Sequence, residues 1–259
     1  MARRLDENKF MSNFRCFKYK AINKNLVDSL VNSTLYFSSR DKLNDPFDSQ
    51  INLHKIIISM LKSGDLDKDT KSALVKINAT NKFFENFENG YKDFGICSFS
   101  IELKNTLMWS HYADEHRGLA LYYDFPTKFL DNPDEILGVS PVKYKNNSIS
   151  HWLQENASYY EKDHFHFVTE LLKIVITAKA PEWEYEKEGR IIRPVAGTYV
   201  IPREFLKGIT FGLRTSDSDE KLIRSLADKY YEEMQFSRVV RTGDNFGIDI
   251  QDTYKKEQE

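Results

Sequence analysis

The apolar residues of this chain change period repeatedly and never settle into a repeat, and that irregularity limits its fold more than any single motif. Residues 14–20, FRCFKYK, carry a strand pattern, residues 23–33 a helical one, and residues 34–38, TLYFS, a strand again. Asn23 is placed to cap the helix, whose Leu26, Val27, Leu30 and Val31 share one stripe. A polar loop over 38–50 leads into helical patterns across 51–90, then a strand at 94–101, a short helix over 105–114 capped by Asn105, and a strand at 118–125. Residues 137–144 suggest another strand, and 149–179 one long helix or two abutting ones. Strands at 188–195, 207–213 and 236–242 enclose an amphipathic helix over 217–233, with Leu222, Ile223, Leu226 and Tyr230 inward. Few strands recur at the spacing of a βαβ unit, so the expected class is α+β. The expected layout is a single α+β domain over 14–250 with helical insertions at about 51–90 and 149–179. An extension over 1–13 precedes it and a polar tail over 251–259 follows. No GxGxxG follows a strand and no GxxxxGK[ST] occurs, which disfavours Rossmann and P-loop nucleotide sites.

Charge narrows the function classes. A net charge of -2, from 37 Lys and Arg against 39 Asp and Glu, argues against bulk capture of nucleic acid or an anionic membrane, although a local basic groove stays open. The charged start, MARRLDENKF, lacks the apolar stretch of a secretory signal, and no run approaches the roughly 20 residues of a membrane span. A cytoplasmic protein is expected. Cys16 and Cys97 stand outside any CxxC pair or zinc spacing and read as small buried hydrophobes. Aromatic residues make up 14%, which favours aromatic packing layers or an aromatic-walled pocket.

Three segments carry candidate chemistry. In NDPFD, Pro46 fixes a turn beside Asn44 and Asp45; the loop either seats Phe47 in the core or forms the mouth of a cleft, with Ser38 and Ser39 at the end of the preceding strand. MWSHYADEHRG gathers Trp109, Ser110, His111, Tyr112, His116 and Arg117. The two histidines are five apart, roughly 140° around a helix, so a shared metal is not expected. His111 reads either as a core histidine or, with Tyr112, as a ligand contact. In PEWEYEKEGR, Glu182, Glu184, Glu186 and Glu188 fall at period two. An extended stretch puts all four and Arg190 on one face, with Trp183 and Tyr185 opposite, whereas a helix creates like-charged i,i+4 pairs. Crowded carboxylates raise one another's pKa, a device of acid–base and cation-stabilising sites; a solvated charged edge is the bland alternative. Lys18, Lys20, Arg15 and Lys24 offer a weaker phosphate grip, and a solvated face explains them equally well.

The order KYK, FSSRDKLNDPFD, CSFS, LMWSHYADEHRGLALYYDF, WEYEKEGRII resembles the bacterial domain of unknown function 2971 from about Phe14 to Leu213. More distantly, the order of elements is similar to ADP-ribosyltransferase-like domains. That likeness implies a split, mostly antiparallel sheet core, NAD as substrate, and Glu186 or Glu188 as the catalytic acid. It puts Lys18 and Tyr19 on a first strand and Ser38 or Ser39 on a second. Asn44, Asp45, Trp109, His111, Tyr112, Trp183 and Arg190 complete the expected substrate contacts, with no metal. Nicotinamide–ribose cleavage generates an oxocarbenium-like cation that a carboxylate stabilises. The leading expectation is therefore an ADP-ribosyltransferase or NAD glycohydrolase, with a role as a toxin or in phage defence. The alternative is a non-enzymatic module binding a small ligand or a protein such as an antitoxin. A Mg²⁺-dependent phosphodiesterase is a third reading, disfavoured by the charge balance.

Overall fold

The computed structural model describes residues 13–253 except 81, 244 and 245. The expected extension and tail therefore lie outside the described residues, apart from residue 13, which opens the first strand, and residues 251–253.

The first half runs β1 (Asn13–Lys20), α1 (Lys24–Asn32), β2 (Thr34–Phe37), α2 (Leu53–Ser63), α3 (Lys68–Ala79), α4 (Phe83–Tyr91), β3 (Gly95–Ser100), α5 (Thr106–Tyr112), β4 (Leu119–Pro126) and α6 (Thr127–Leu130). The second half runs β5 (Gly138–Pro141), β6 (Lys143–Tyr144), α7 (Ser148–Asn156), α8 (Tyr159–Lys162), α9 (His164–Thr177), β7 (Ala178–Lys179), β8 (Glu188–Arg193), β9 (Gly197–Val200), β10 (Leu206–Phe211), α10 (Asp217–Tyr230), β11 (Gln235–Arg241) and β12 (Ile248–Asp252). Both expected caps form: Asn23 accepts from the Leu26 amide at 3.1 Å, and Asn105 accepts from the amides of Leu107 and Met108.

The class is α+β, built on one large mixed sheet in the order β12-β11-β10-β4-β1-β3-β8-β5, with two-stranded pairs β2-β9 and β6-β7 beside it. Among the described residues of the large sheet, only β10 and β11 run parallel. β1 pairs with β4 along its whole length, from Asn13 opposite Pro126 to Lys20 opposite Leu119. Towards β3 it pairs only at Phe17 and Ser100. Beyond that point the strands part, and the edge of β3 is taken instead by Ser38, whose backbone exchanges two hydrogen bonds with Ile96. This parting places the site described below.

Several expected elements change. The stretch 149–179 is three helices, and it ends at Thr177 so that Ala178 and Lys179 join β6 as a strand. Residues 137–144 split into β5 and β6, while β9 and β12 had no strand signal. Leu222 is exposed; the buried side of α10 is Ile223 and Ala227.

The two helical insertions pack on each other. Leu53, Ile57, Leu74, Ile77 and Phe87 from the first meet Leu153, Phe167, Leu171 and Val175 from the second in one buried cluster. Each such side chain contributes roughly 1.5–3 kcal/mol by leaving water. A second cluster fills the sheet side with Phe14, Phe99, Tyr123 and Phe125, and a third surrounds Trp109.

Candidate functional site

A cleft of about 320 Å³ opens where β1 leaves β3. Lys18 and Lys20 of β1, Tyr36 and Ser38 at the end of β2, Asn44 of the NDPF loop, Ser98 and Ser100 of β3, Tyr112 of α5, and Lys179, Glu186 and Glu188 all line it. Its lining holds four lysines against two carboxylates, although the whole chain is slightly acidic.

Behind the cleft lies a buried charge cluster. Arg190 is fully buried and uses its whole fork. Its Nε donates to Glu188 Oε1 at 2.7 Å, and its Nη1 and Nη2 donate to the two Asp48 oxygens at 2.9 and 2.5 Å. Lys179 donates to Glu186 Oε2 at 2.5 Å and to Glu188 Oε2 at 3.0 Å, with Asp48 3.7 Å away. The Tyr112 hydroxyl donates to Glu186 Oε1 and accepts from Asn44 Nδ2 at 2.7 Å. Ser100 Oγ donates to the Glu186 carbonyl at 2.6 Å, and the Glu188 amide donates to the Tyr144 hydroxyl at 2.7 Å.

The two glutamates differ electrostatically. Burial pushes the Glu186 carboxyl above the usual range, and the Lys179 and Tyr112 hydrogen bonds offset this only in part. Burial also acts on Glu188, but the Arg190 and Lys179 charges outweigh it and hold that carboxyl well below the usual range. Lys179 is likewise buried, yet Glu188, Glu186 and Asp48 keep its ammonium charged more firmly than usual. Glu188 therefore belongs to the supporting cluster, while Glu186 is the more easily protonated acid on the cleft wall.

This difference predicts an acid response. Because its folded-state pKa is depressed, the contribution of Glu188 to stability is present above about pH 4.5 and is lost as pH falls towards 2. Glu186 has the opposite sign. Urea midpoints measured between pH 5 and pH 3 are expected to fall less steeply in Glu188→Gln than in the unmodified protein.

The structure brings together Lys18, Ser38, Asn44, Tyr112, Glu186 and Glu188 at the cleft. Other expected contacts are corrected. Residues 181–186 form a 3-10 turn, not an extended strand, so Glu182 and Glu184 point to solvent and the four carboxylates do not share a face. Arg190 is sealed behind Glu188 and is closed to a substrate. Trp109 is core: its indole donates to the Leu103 carbonyl and its ring meets Tyr19 edge-on. Tyr19 does line the cleft, but its side chain packs against that same core, with its hydroxyl on the Glu102 carbonyl. His111 is exposed beside Tyr185, neither buried nor on the cleft. Ser39 precedes the turn Arg40–Lys42 and bonds Asp41. Asp45 accepts from the Phe47 amide and lines a separate cavity of about 260 Å³, while Phe47 is 81% exposed, so the loop buries its two aspartates, Asp45 and Asp48, and not its aromatic ring. Trp183 lies 5.1 Å from the Lys179 ammonium and packs over it without lining the cleft.

Residue-by-residue reading missed Lys179, Asp48, Lys42 and Tyr144. The lysine in VITAKAPEW was the available signal: a single cation closing an apolar run needs a buried counter-charge. Among the described residues, no group of three or more His, Cys, Asp or Glu is arranged to hold a metal, and no helix is long and apolar enough to cross a membrane.

Residues 108–191, less than half of the chain, match the model of the family described as "Protein of unknown function (DUF2971)". The match takes in the MWSHYADEHRG segment from within α5 onward, Lys179 and the two glutamates; β1 and the NDPF loop lie outside it. Comparison with curated proteins and with solved structures finds no match.

Proposed function

We propose that the cleft binds NAD or a close relative and that Glu186 promotes cleavage of its nicotinamide–ribose bond, as in an NAD glycohydrolase or ADP-ribosyltransferase. One observation carries this reading: a carboxylate with a raised pKa, held on one oxygen by Tyr112 and on the other by Lys179, stands in the wall of a cleft opened by parting strands. The parting leaves five strands on one side and three on the other, in keeping with the split core expected from the distant resemblance.

In the proposed step the bond from ribose C1′ to the pyridinium nitrogen breaks. The electron pair leaves with nicotinamide, which departs neutral, and positive charge develops on the ribosyl carbon and ring oxygen. Ionised Glu186 stabilises that charge without needing to move, because both its oxygens are already anchored. Water, or an acceptor nucleophile, then bonds to C1′ and gives up its proton to the carboxylate or to solvent. Glu186 must be ionised, so activity rises as pH climbs through its raised pKa.

The same anchoring supports a second reading. Lys179 already neutralises Glu186, which suits a site that binds a ligand without transforming it.

The experiment follows nicotinamide release from NAD. The unmodified protein and Glu184→Gln, an exposed control, are expected to turn over equally, and Glu186→Gln to lose about 10²-fold or more. Absent release, or equal rates for Glu186→Gln and the unmodified protein, overturns the enzymatic reading; NAD binding without release favours the binding module.

A further inference from the structure

Side chains alternate along a strand, so Lys18 and Lys20, two apart on β1, share a face. Both are half-buried and both line the cleft, with Lys42 exposed at its rim. Among the described residues no salt bridge reaches any of the three, because Glu186 and Glu188 are taken by Lys179 and Arg190. Lys18 is held in place: its ammonium donates to the Ser98 carbonyl at 2.8 Å and lies 4.8 Å from the centre of the Phe99 ring. The other two candidate cations from this region face elsewhere, Arg15 to Asp124 and Lys24 to solvent on α1. The Lys18 and Lys20 ammonium groups, drawn partly out of water, repel one another, and among the described residues no carboxylate forms a salt bridge with either to offset that cost; Lys42, in solvent, has the exposed Asp41 beside it. An incoming group with two or more negative charges would supply that offset.

We infer that Lys18, Lys20 and Lys42 form a subsite for the phosphate or diphosphate group of a small-molecule ligand. A lone carboxylate balances one of these charges; a diphosphate suits the set, and lysine binds phosphate as a point charge. The inference rests on reading the cleft as a ligand site, and it names the ligand class through groups separate from Glu186.

A pH dependence follows. The Lys18 charge, then burial, lowers the Lys20 pKa to about 8, with Cys97 of β3 acting the other way. The remaining charged or titratable groups on the cleft are Tyr19, Tyr36, Lys42, Tyr112, Lys179, Glu186 and Glu188. Lys20 therefore loses its proton as pH passes 8, and anion binding weakens.

Calorimetric titration of the full chain with inorganic pyrophosphate and with ADP tests this. Both are expected to bind at pH 7 and more weakly at pH 9, with Lys20→Gln and Lys42→Gln each weakening binding about tenfold and Lys24→Gln leaving it unchanged. Lys18→Gln also removes the Ser98 contact, so Lys20 and Lys42 are the decisive substitutions. No pyrophosphate binding, no effect of either substitution, or an equal effect at Lys24 overturns the subsite. Nicotinamide release without pyrophosphate binding removes the subsite and leaves the Glu186 reading standing; pyrophosphate binding without release does the reverse.

Discussion

Replacing Arg190 with methionine is expected to destabilise the protein by about 3–5 kcal/mol, enough to unfold many domains of this size. Arg190 is fully buried and grips both Asp48 and Glu188 with a rigid fork. Its removal leaves two carboxylates in a low-dielectric interior with Lys179 as their remaining cation, and Lys179 is shared with Glu186. Arg190→Lys should not rescue it, because an ammonium cannot serve two carboxylates through separate parallel pairs of bonds. Urea denaturation at pH 7 measures the effect. A midpoint within error of the unmodified protein would mean that the cluster contributes nothing net. The loss would extend to the cleft, since the Asp48 contact ties the NDPFD loop to β8, and that loop carries Asn44 to Tyr112 and so to Glu186.

The residues legible in the sequence were those whose local chemistry decided their place. Asn23 and Asn105 cap helices because a side-chain oxygen reaches the free amides of its own first turn, a contact that needs no distant partner. Glu186, Tyr112 and Asn44 stand out as members of short polar segments, and all three meet. One failure was local, and the others arose where a distant partner decided. Period two in PEWEYE suggested a strand, but Pro181 starts a 3-10 turn, and at about three residues per turn the alternating acids cannot share one face. In NDPFD the apolar Phe47 stays in solvent and Asp48 goes inside, because Arg190, 142 positions away, requires a counter-charge. Lys179 belongs to no motif at all; its importance comes from the helix α9 ending two residues earlier and delivering it between Glu186 and Glu188. Trp109 and Tyr19 read as ligand contacts because aromatic rings in polar company suit both pockets and cores, and only packing separates the two.

Gly118→Ala is the second substitution expected to act strongly, through the backbone and not through charge. A Cβ at this position would sit 2.1 Å from the Lys20 carbonyl oxygen and 3.0 Å from Ala113. These are main-chain atoms, so the clash is relieved only by moving β1 or the turn before β4. That turn has little freedom. Asp114, Glu115 and His116 are three successive residues in the left-handed region, a conformation that costs each non-glycine residue on the order of 1 kcal/mol. They are held there by hydrogen bonds from the Gly118 amide to Ala113, from the Gly212 amide to the Gly118 carbonyl, and from Thr215 Oγ1 to that same carbonyl. The expected loss is about 3 kcal/mol, at the upper end for overpacking because no flexible side chain can yield. Gly90→Ala is the control: it lies in α4 with open space around it and should be neutral or stabilising by up to about 1 kcal/mol. Since the displaced carbonyl belongs to Lys20, any Gly118→Ala protein that folds should also bind pyrophosphate more weakly. A variant that matched the unmodified protein in both urea midpoint and pyrophosphate affinity would show that the end of β1 is not fixed by the MWSHYADEHRG turn, and the placement of Lys20 would then need another cause.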